Sequence, residues 1–515
     1  IMPITSELQI FSTASQGGLV LDRDVLTIPP SAAKALQNYE PDVKGGYRRI
    51  SGFSKYSTSA LAGSGEVLGI AVLGDSVIGC RGANVQKGTG GSWSSINTGR
   101  TSAKKYIFDK FNWSGTEKVI MADSTNKAAT FDGSSYVLIE TSGAPASPSY
   151  VQEFKDHMFY VQGNELIFTA PFQETNFDVA DGAGSITFTE GVLAAKSHRD
   201  ALYIFTPKSV FKLTGTNQAD WRLEPVTREI GCVSKFSIQE IAGDIVFLAN
   251  DGLRTIASTD KIGDTELGTI SKQIQSIVDH IADTASADNI SSLVIRGKTQ
   301  YRLFFHEDAI DELNAKGIIA VLKRQVNPQQ IDLSGNAAWE YAETKGIKPS
   351  YSTNDLIGVS SVVPIELHGD KVNGLIYKQE DGDTFNGVAI ESVFTSPDLV
   401  LDDIGVRDTL QRLILDVENS APVVINIGTV IDVNALDTPQ PLSFNISLPG
   451  TFNGSTYGTG VYGTARYASV TFTINRAPLI GSGFTVSIKI IEEGSTTEPF
   501  TIKGFSIEYT PGGRR

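Results

Sequence analysis

The sequence predicts an all-β chain: a β-propeller of six or seven blades, a β-sandwich-like platform built from an N-terminal arm and C-terminal strands, and one short helix. Three observations carry this. Short β-rich runs alternate with turn residues, as at 202–205, 210–213, 236–241 and 245–249, separated by Pro207-Lys208, Gly215-Thr216, Ala242-Gly243 and Asn250-Asp251-Gly252. The same strand–turn–strand phrase recurs at a spacing of roughly 40 to 65 residues, which suits four-stranded propeller blades better than a helical solenoid. Beyond residue 389 the runs lengthen and alternate apolar with polar residues at period two, the pattern of a sandwich with one wet face.

Composition agrees. Gly reaches 50 of 515 residues and charged residues only 20%, against usual shares of about 7% and about 25%, so the chain spends its sequence on turns. No window of roughly 18 continuous apolar residues occurs, and no stable membrane insertion is expected. The start, IMPITSELQIF, lacks a basic region followed by an apolar stretch, so no secretory leader is expected. A net charge of −15 argues against a sequence-reading nucleic-acid binder, which needs a basic stripe, yet an acidic chain can surround DNA without gripping it. Cys80 and Cys232, far apart in strand-like text, read as two buried small hydrophobes rather than a disulfide.

In chain order, residues 1–60 form the arm, part of the platform. Pro29-Pro30 and Pro41 exclude a long helix, and Gly45-Gly46 permits a sharp reversal before YRRISGFSKY. Residues 61–389 form the propeller, with seven repeat phrases opening near Val67, Lys105, Tyr150, Val192, Phe236, Ser291 and Asp355, alike in pattern and not in identity. Circular closure hides edge strands; a run of stacked sheets without closure is the alternative. A helix is expected from Thr269 to Ser286, with Ile270, Ile274, Ile277, Val278 and Ile281 on one face to dock on the propeller flank. Residues 390–515 form the C-terminal sandwich, the rest of the platform.

No catalytic, cofactor-binding or metal-ligating set is expected. His157, His198, His280, His306 and His368 show no ligand spacing, and neither a Walker A loop nor a G-x-S-x-G elbow occurs. The G-x-G-x-x-G match at Gly458, Gly460 and Gly463 has no helix behind it to bind phosphate, and Asp381-Gly382-Asp383 lacks the later ligands of a calcium loop. Ser258-Thr259-Asp260 lacks the glycine and tryptophan of the sialidase-type turn, and the GH and WD dipeptides of WD40 blades are missing.

The block LAAKSHRDALYIFTPKSVFKLTG with its continuation EIGCVSKFSIQEIAGDIVFLANDGLRTI, the arm IPPSAAKALQNYEPDVKGGYRRISGFSKY and the closing FTIKGFSIEYT resemble the tail nozzle (tail hub) proteins of short-tailed, podovirus-type bacteriophages. Gly45, Gly46, Arg48 and Arg49 in the arm and Gly215, Gly231 and Gly252 in the central block carry the resemblance as structural positions. It implies a virion structural protein, not an enzyme, assembled in the bacterial cytoplasm into the tail. There a homo-oligomeric, typically hexameric, ring would sit below the portal and a head-to-tail adaptor. Genomic DNA would pass through without sequence specificity, and fibre, spike or needle proteins would attach. The acidic balance fits, because phosphates would slide past an acidic wall and cling to a basic one. The alternative expectation is a carbohydrate-binding or glycan-cleaving propeller that recognises a host surface.

Overall fold

Strands this short have too little surface to bury singly, so neighbours pair antiparallel into small sheets that pack around an axis. A computed structural model of the chain describes residues 7–12, 17–101, 104–256, 269–306, 315–323, 339–450, 473–494 and 498–512. The GxGxxG glycines and Ser258-Thr259-Asp260 lie outside the described residues. Six sheets are self-contained blades, five of four strands and one of three. A seventh sector, residues 290–345, is the start of a nine-stranded sheet. The innermost strands are Val67–Leu73, Ile107–Phe111, Tyr150–Phe154, Ala194–His198, Gln239–Ile241, Ile290–Ile295 and Pro349–Ile357, and all of them line one axial cavity. The repeat phrase expected to open near Asp355 begins earlier, at Pro349, because the strand that carries Asp355 is nine residues long.

Closure comes from the arm. Phe53–Lys55 pairs with Ile376–Gln379 as the fourth strand of the last blade, joining two parts of the chain more than 300 residues apart. The Phe53 ring stacks on Phe385 at 5.1 Å and meets His368 edge-on at 4.8 Å. Residues 53–55 therefore serve the propeller, although the chain up to 60 reads as arm, because Ile376–Gln379 would otherwise leave an open edge.

The nine-stranded sheet crosses the expected boundary at 389–390. Its first four strands, Ile290–Ile295, Gln300–Phe305, Lys316–Leu322 and Trp339–Lys345, are followed in space by Ala35–Gln37 of the arm. Glu391–Thr395, Val486–Glu493, Val423–Ile431 and Phe444–Leu448 then continue it into the platform. Ala35–Gln37 runs parallel to the blade strand, with Gln37 opposite Glu343, and antiparallel to Glu391–Thr395. The second platform sheet orders Tyr39–Pro41, Tyr47–Arg49, Thr501–Thr510, Asp408–Glu418 and Thr473–Pro478, with Glu7–Ser12 also pairing along Thr501–Thr510. The expected union of chain ends is thus a strand ladder. Period-two burial along Val423–Ile431 puts Ile425 and Ile427 against Leu413, Leu415 and Ile507 of the other sheet, in one core that extends into the blade through Leu303 and Ile318.

The helix is shorter than its apolar spacing suggests. It spans Gln275–Thr284 after a 3-10 turn at Lys272–Ile274. Ile270 N–H is drawn off to the Leu253 carbonyl, and the Ser271 hydroxyl accepts from Leu253 N–H, so the first residues extend a blade instead of coiling. Val278 and Ile281 are fully buried against the body and contribute about 1.5–3 kcal/mol each.

Asn38 holds the blade and the platform together. Its side-chain amide donates to the Lys345 carbonyl at 3.0 Å and the Glu391 carbonyl at 2.7 Å, while its oxygen accepts from Lys345 N–H at 2.8 Å. Its backbone sits at φ 54, a conformation asparagine tolerates better than most residues. Asn38→Ala should lower stability by about 2–4 kcal/mol, since three hydrogen bonds go and buried polar groups are stranded. Urea unfolding read by tryptophan fluorescence checks this; a midpoint equal to wild type would contradict the clamp.

Candidate functional site

Two regions concentrate buried charge: the junction where the arm passes between blade and platform, and the axis of the propeller. The junction contains the predicted arm residues. Asp42 and Gly46 close the turn, with Asp42 N–H bonded to the Gly46 carbonyl at 3.0 Å and Gly45 N–H to the Asp42 carbonyl at 2.9 Å. Both glycines have positive φ, and a Cβ on Gly46 would lie 2.5 Å from the Ile502 carbonyl oxygen, so the turn needs glycine for conformation and for close approach. Arg49 is fully buried 3.8 Å from Glu492 and donates to the Asp383 carbonyl at 3.3 Å.

Arg48 reaches Glu40 at 3.1 Å, and Glu40 is the hub of a larger network. Arg302, on a blade strand, bonds Glu40 at 3.2 Å and also pairs with Glu380; Lys298 pairs with both carboxylates. Gln300 donates to Glu40 at 3.0 Å. Burial opposes ionisation of Glu380, but Arg302 and Lys298 outweigh it and hold the carboxyl at about 2. Sequence spacing could not connect Glu40 with residues 298–302 and 380, which only the folded chain brings together. The central glycines lie apart from this junction and from one another. Gly215 and Gly252 take positive-φ turn positions, and Gly231 passes so near Pro207 that a Cβ would sit 2.1 Å from its carbonyl.

The axial cavity is about 280 Å³ and mainly polar. Inner strands are stitched across it by side chains: Lys110 pairs with Asp355 at 2.7 Å, Ser291 with Ser352 at 2.8 Å, and Gln239 donates to the Ser292 carbonyl at 3.1 Å. Asp109 accepts from Glu153 N–H at 2.5 Å and from the Gln152 amide at 2.9 Å, and its burial raises the carboxyl above the ordinary range despite Lys196. Burial pushes the Lys235 amine down to about 8, with Asp288 and Asp123 acting against it.

Of the histidines, burial pushes His368 down to about 3, so its ring is neutral beside Gln379. His198 lies 3.4 Å from Glu240, a pair formed only in space. Among the described residues, no group of three or more His, Cys, Asp or Glu could hold a metal ion. Cys80 and Cys232 are buried and unpaired, as expected. No helix among the described residues is long and apolar enough to cross a membrane.

No family model matches the chain, and no curated protein does. Among solved structures, the extracellular domain of a putative hybrid two-component system from B. thetaiotaomicron aligns over 64% of this chain and 39% of its own, at 11% identity and TM-score 0.39. A computationally designed protein aligns over 63% of this chain and 99% of its own, at 7% identity and TM-score 0.35. Hsv2 of Kluyveromyces lactis covers 54% and is itself covered over 87%, at 8% identity and TM-score 0.34. The chain thus spans about two fifths of the bacterial extracellular domain that it matches.

The junction predicts an acid response. Glu380 contributes stability that is fully present above the ordinary glutamate value near 4.5 and is lost as pH falls through about 2. Glu380→Gln should cost about 1.5–3 kcal/mol at pH 7, since Arg302 and Lys298 keep Glu40 but lose a second charged acceptor, and should flatten the loss of stability between those values. Thermal unfolding from pH 7 to pH 2 checks both; parallel wild-type and variant curves would contradict the assignment.

Proposed function

We propose that this chain is a structural subunit of a short-tailed phage virion, one copy in a ring-shaped nozzle below the portal and adaptor, through which genomic DNA leaves. The observation that carries this reading is the platform's exposed edge and apolar surface. Glu7–Ser12 is paired on Thr501–Thr510 and has no further strand beside it among the described residues, with Leu8 and Ile10 exposed at 55% and 72%. Elsewhere on the platform Leu436, Leu442 and Ile480 are almost bare of protein contact. Closed blades offer few free edges, so the platform is where a neighbouring copy can add strands and cover apolar surface. A ring needs two such complementary surfaces on one chain.

The axial cavity supports the same division of labour. At about 280 Å³ it has room for a small molecule and none for a duplex, whose major groove alone is about 12 Å wide. DNA would pass between copies, in a lumen lined by several subunits. A net charge of −15 per copy would keep phosphates from adhering to that wall. The platform would meet the adaptor, and fibres, spikes or a needle would attach nearby.

Electron microscopy of purified protein, and of particles from cells making it, should show rings with a central channel. Ile10→Lys, at a side chain already exposed, should leave the fold intact and reduce ring yield several-fold. Single subunits that bind oligosaccharide, or rings with a basic lumen, would contradict the reading.

A further inference from the structure

One end of the propeller axis gathers more cations than its carboxylates neutralise. Lys104, Lys105, Lys235 and Lys371 lie there, beside the starts of inner strands or at the end of a neighbouring one, with Glu66 and Asp288 as the facing acids. Both acids are taken: Glu66 pairs with Lys371 at 2.7 Å and Asp288 with Lys104 at 2.9 Å. Asp123, the next carboxylate within electrostatic reach of Lys235, pairs with Arg100 at 3.0 Å. Two ammonium groups are left over.

Of these two, Lys105 is buried and Lys235 half-buried. Lys105 is 3% exposed, and its amine has no hydrogen-bond partner among the described residues. Lys235 donates one bond, to the Ser149 carbonyl at 2.7 Å, and keeps two of its three donors. Both amines lie over the Phe236 ring, at 5.2 and 5.3 Å from its centre, and Phe236 and Lys235 line the axial cavity. Contact with a ring face recovers part of the lost hydration but supplies no acceptor. Two like charges, one buried and one half-buried, sharing one ring form a costly arrangement that an anion between them would relieve.

We propose that this end of the axis is a binding site for a small oxyanion, of the carboxylate or phosphate class, gripped by Lys105 and Lys235 beside the Phe236 ring that both amines contact. The exposed Lys104–Asp288 pair forms the outer rim. The site is independent of the ring and adaptor surfaces, since it lies in the propeller of each copy.

Isothermal titration of the full chain with inorganic phosphate, and separately with acetate, at constant ionic strength set by chloride, tests this. A saturable one-to-one heat with either probe is expected, and which one gives it distinguishes the two sources of the anion. No saturable heat with both would overturn the site. Lys105→Met and Lys235→Met should each weaken binding about tenfold or more, as loss of a charge-assisted hydrogen bond does; unchanged affinity in either folded variant would overturn it. Where a variant fails to fold, nitrogen NMR of labelled lysines in the wild type decides. The binding probe should move the amine signals of Lys105 and Lys235, and no movement would overturn the proposal.

Discussion

The structure depends on a three-residue strand near its beginning. Ala35–Gln37 is the shared member of a sheet whose one half is a propeller blade and whose other half is a platform layer. Without it, Trp339–Lys345 and Glu391–Thr395 would face each other as two unpaired edges, and buried backbone groups would lack partners. Asn38 fastens both sides at once through its side chain. Glu40, two residues on, carries the polar counterpart of the same joint by receiving cations from the blade and from the arm turn. A buried pair is weak evidence for net stability, because desolvation offsets attraction, but it fixes which surfaces meet. Here it registers blade against platform.

That constraint explains what could be read from the chain and what could not. Blades are local: a strand, a turn and the next strand are contiguous, so their alternation and turn residues are visible in single phrases such as the one opening near Val67. The nine-stranded sheet is non-local, pairing Gln37 with Glu343, 306 positions further along the chain, and no periodicity records such a partner. Gly45, Gly46, Arg48 and Arg49 stood out as a turn and its flank, yet their partners Glu40, Glu492 and Asp383 are spread over the whole chain. The helix was legible from its apolar spacing, and its start was not, since Ile270 is claimed by Leu253. Lys105 and Lys235 lie in different phrases with ordinary flanks, and only the circular arrangement brings them to one ring.

The architecture separates two kinds of surface. Around the axis, polar side chains bridge inner strands of different blades, which resists opening of the ring of blades. On the platform, the second sheet ends at a strand with exposed apolar side chains, and the loops around Leu436, Leu442 and Ile480 leave apolar surface uncovered. Apolar surface of that kind is costly in an isolated subunit and useful in an assembly. In the proposed nozzle, rigidity belongs to the propeller and association to the platform, with the Ala35–Gln37 strand transmitting load between them.

The most direct test of this account is the mass of the native protein in solution, measured by native mass spectrometry over a range of concentrations. The account predicts a closed species at a fixed multiple, typically six, of the 55.2 kDa subunit. A single 55.2 kDa species at every concentration, with and without the particle's other tail components, would contradict it.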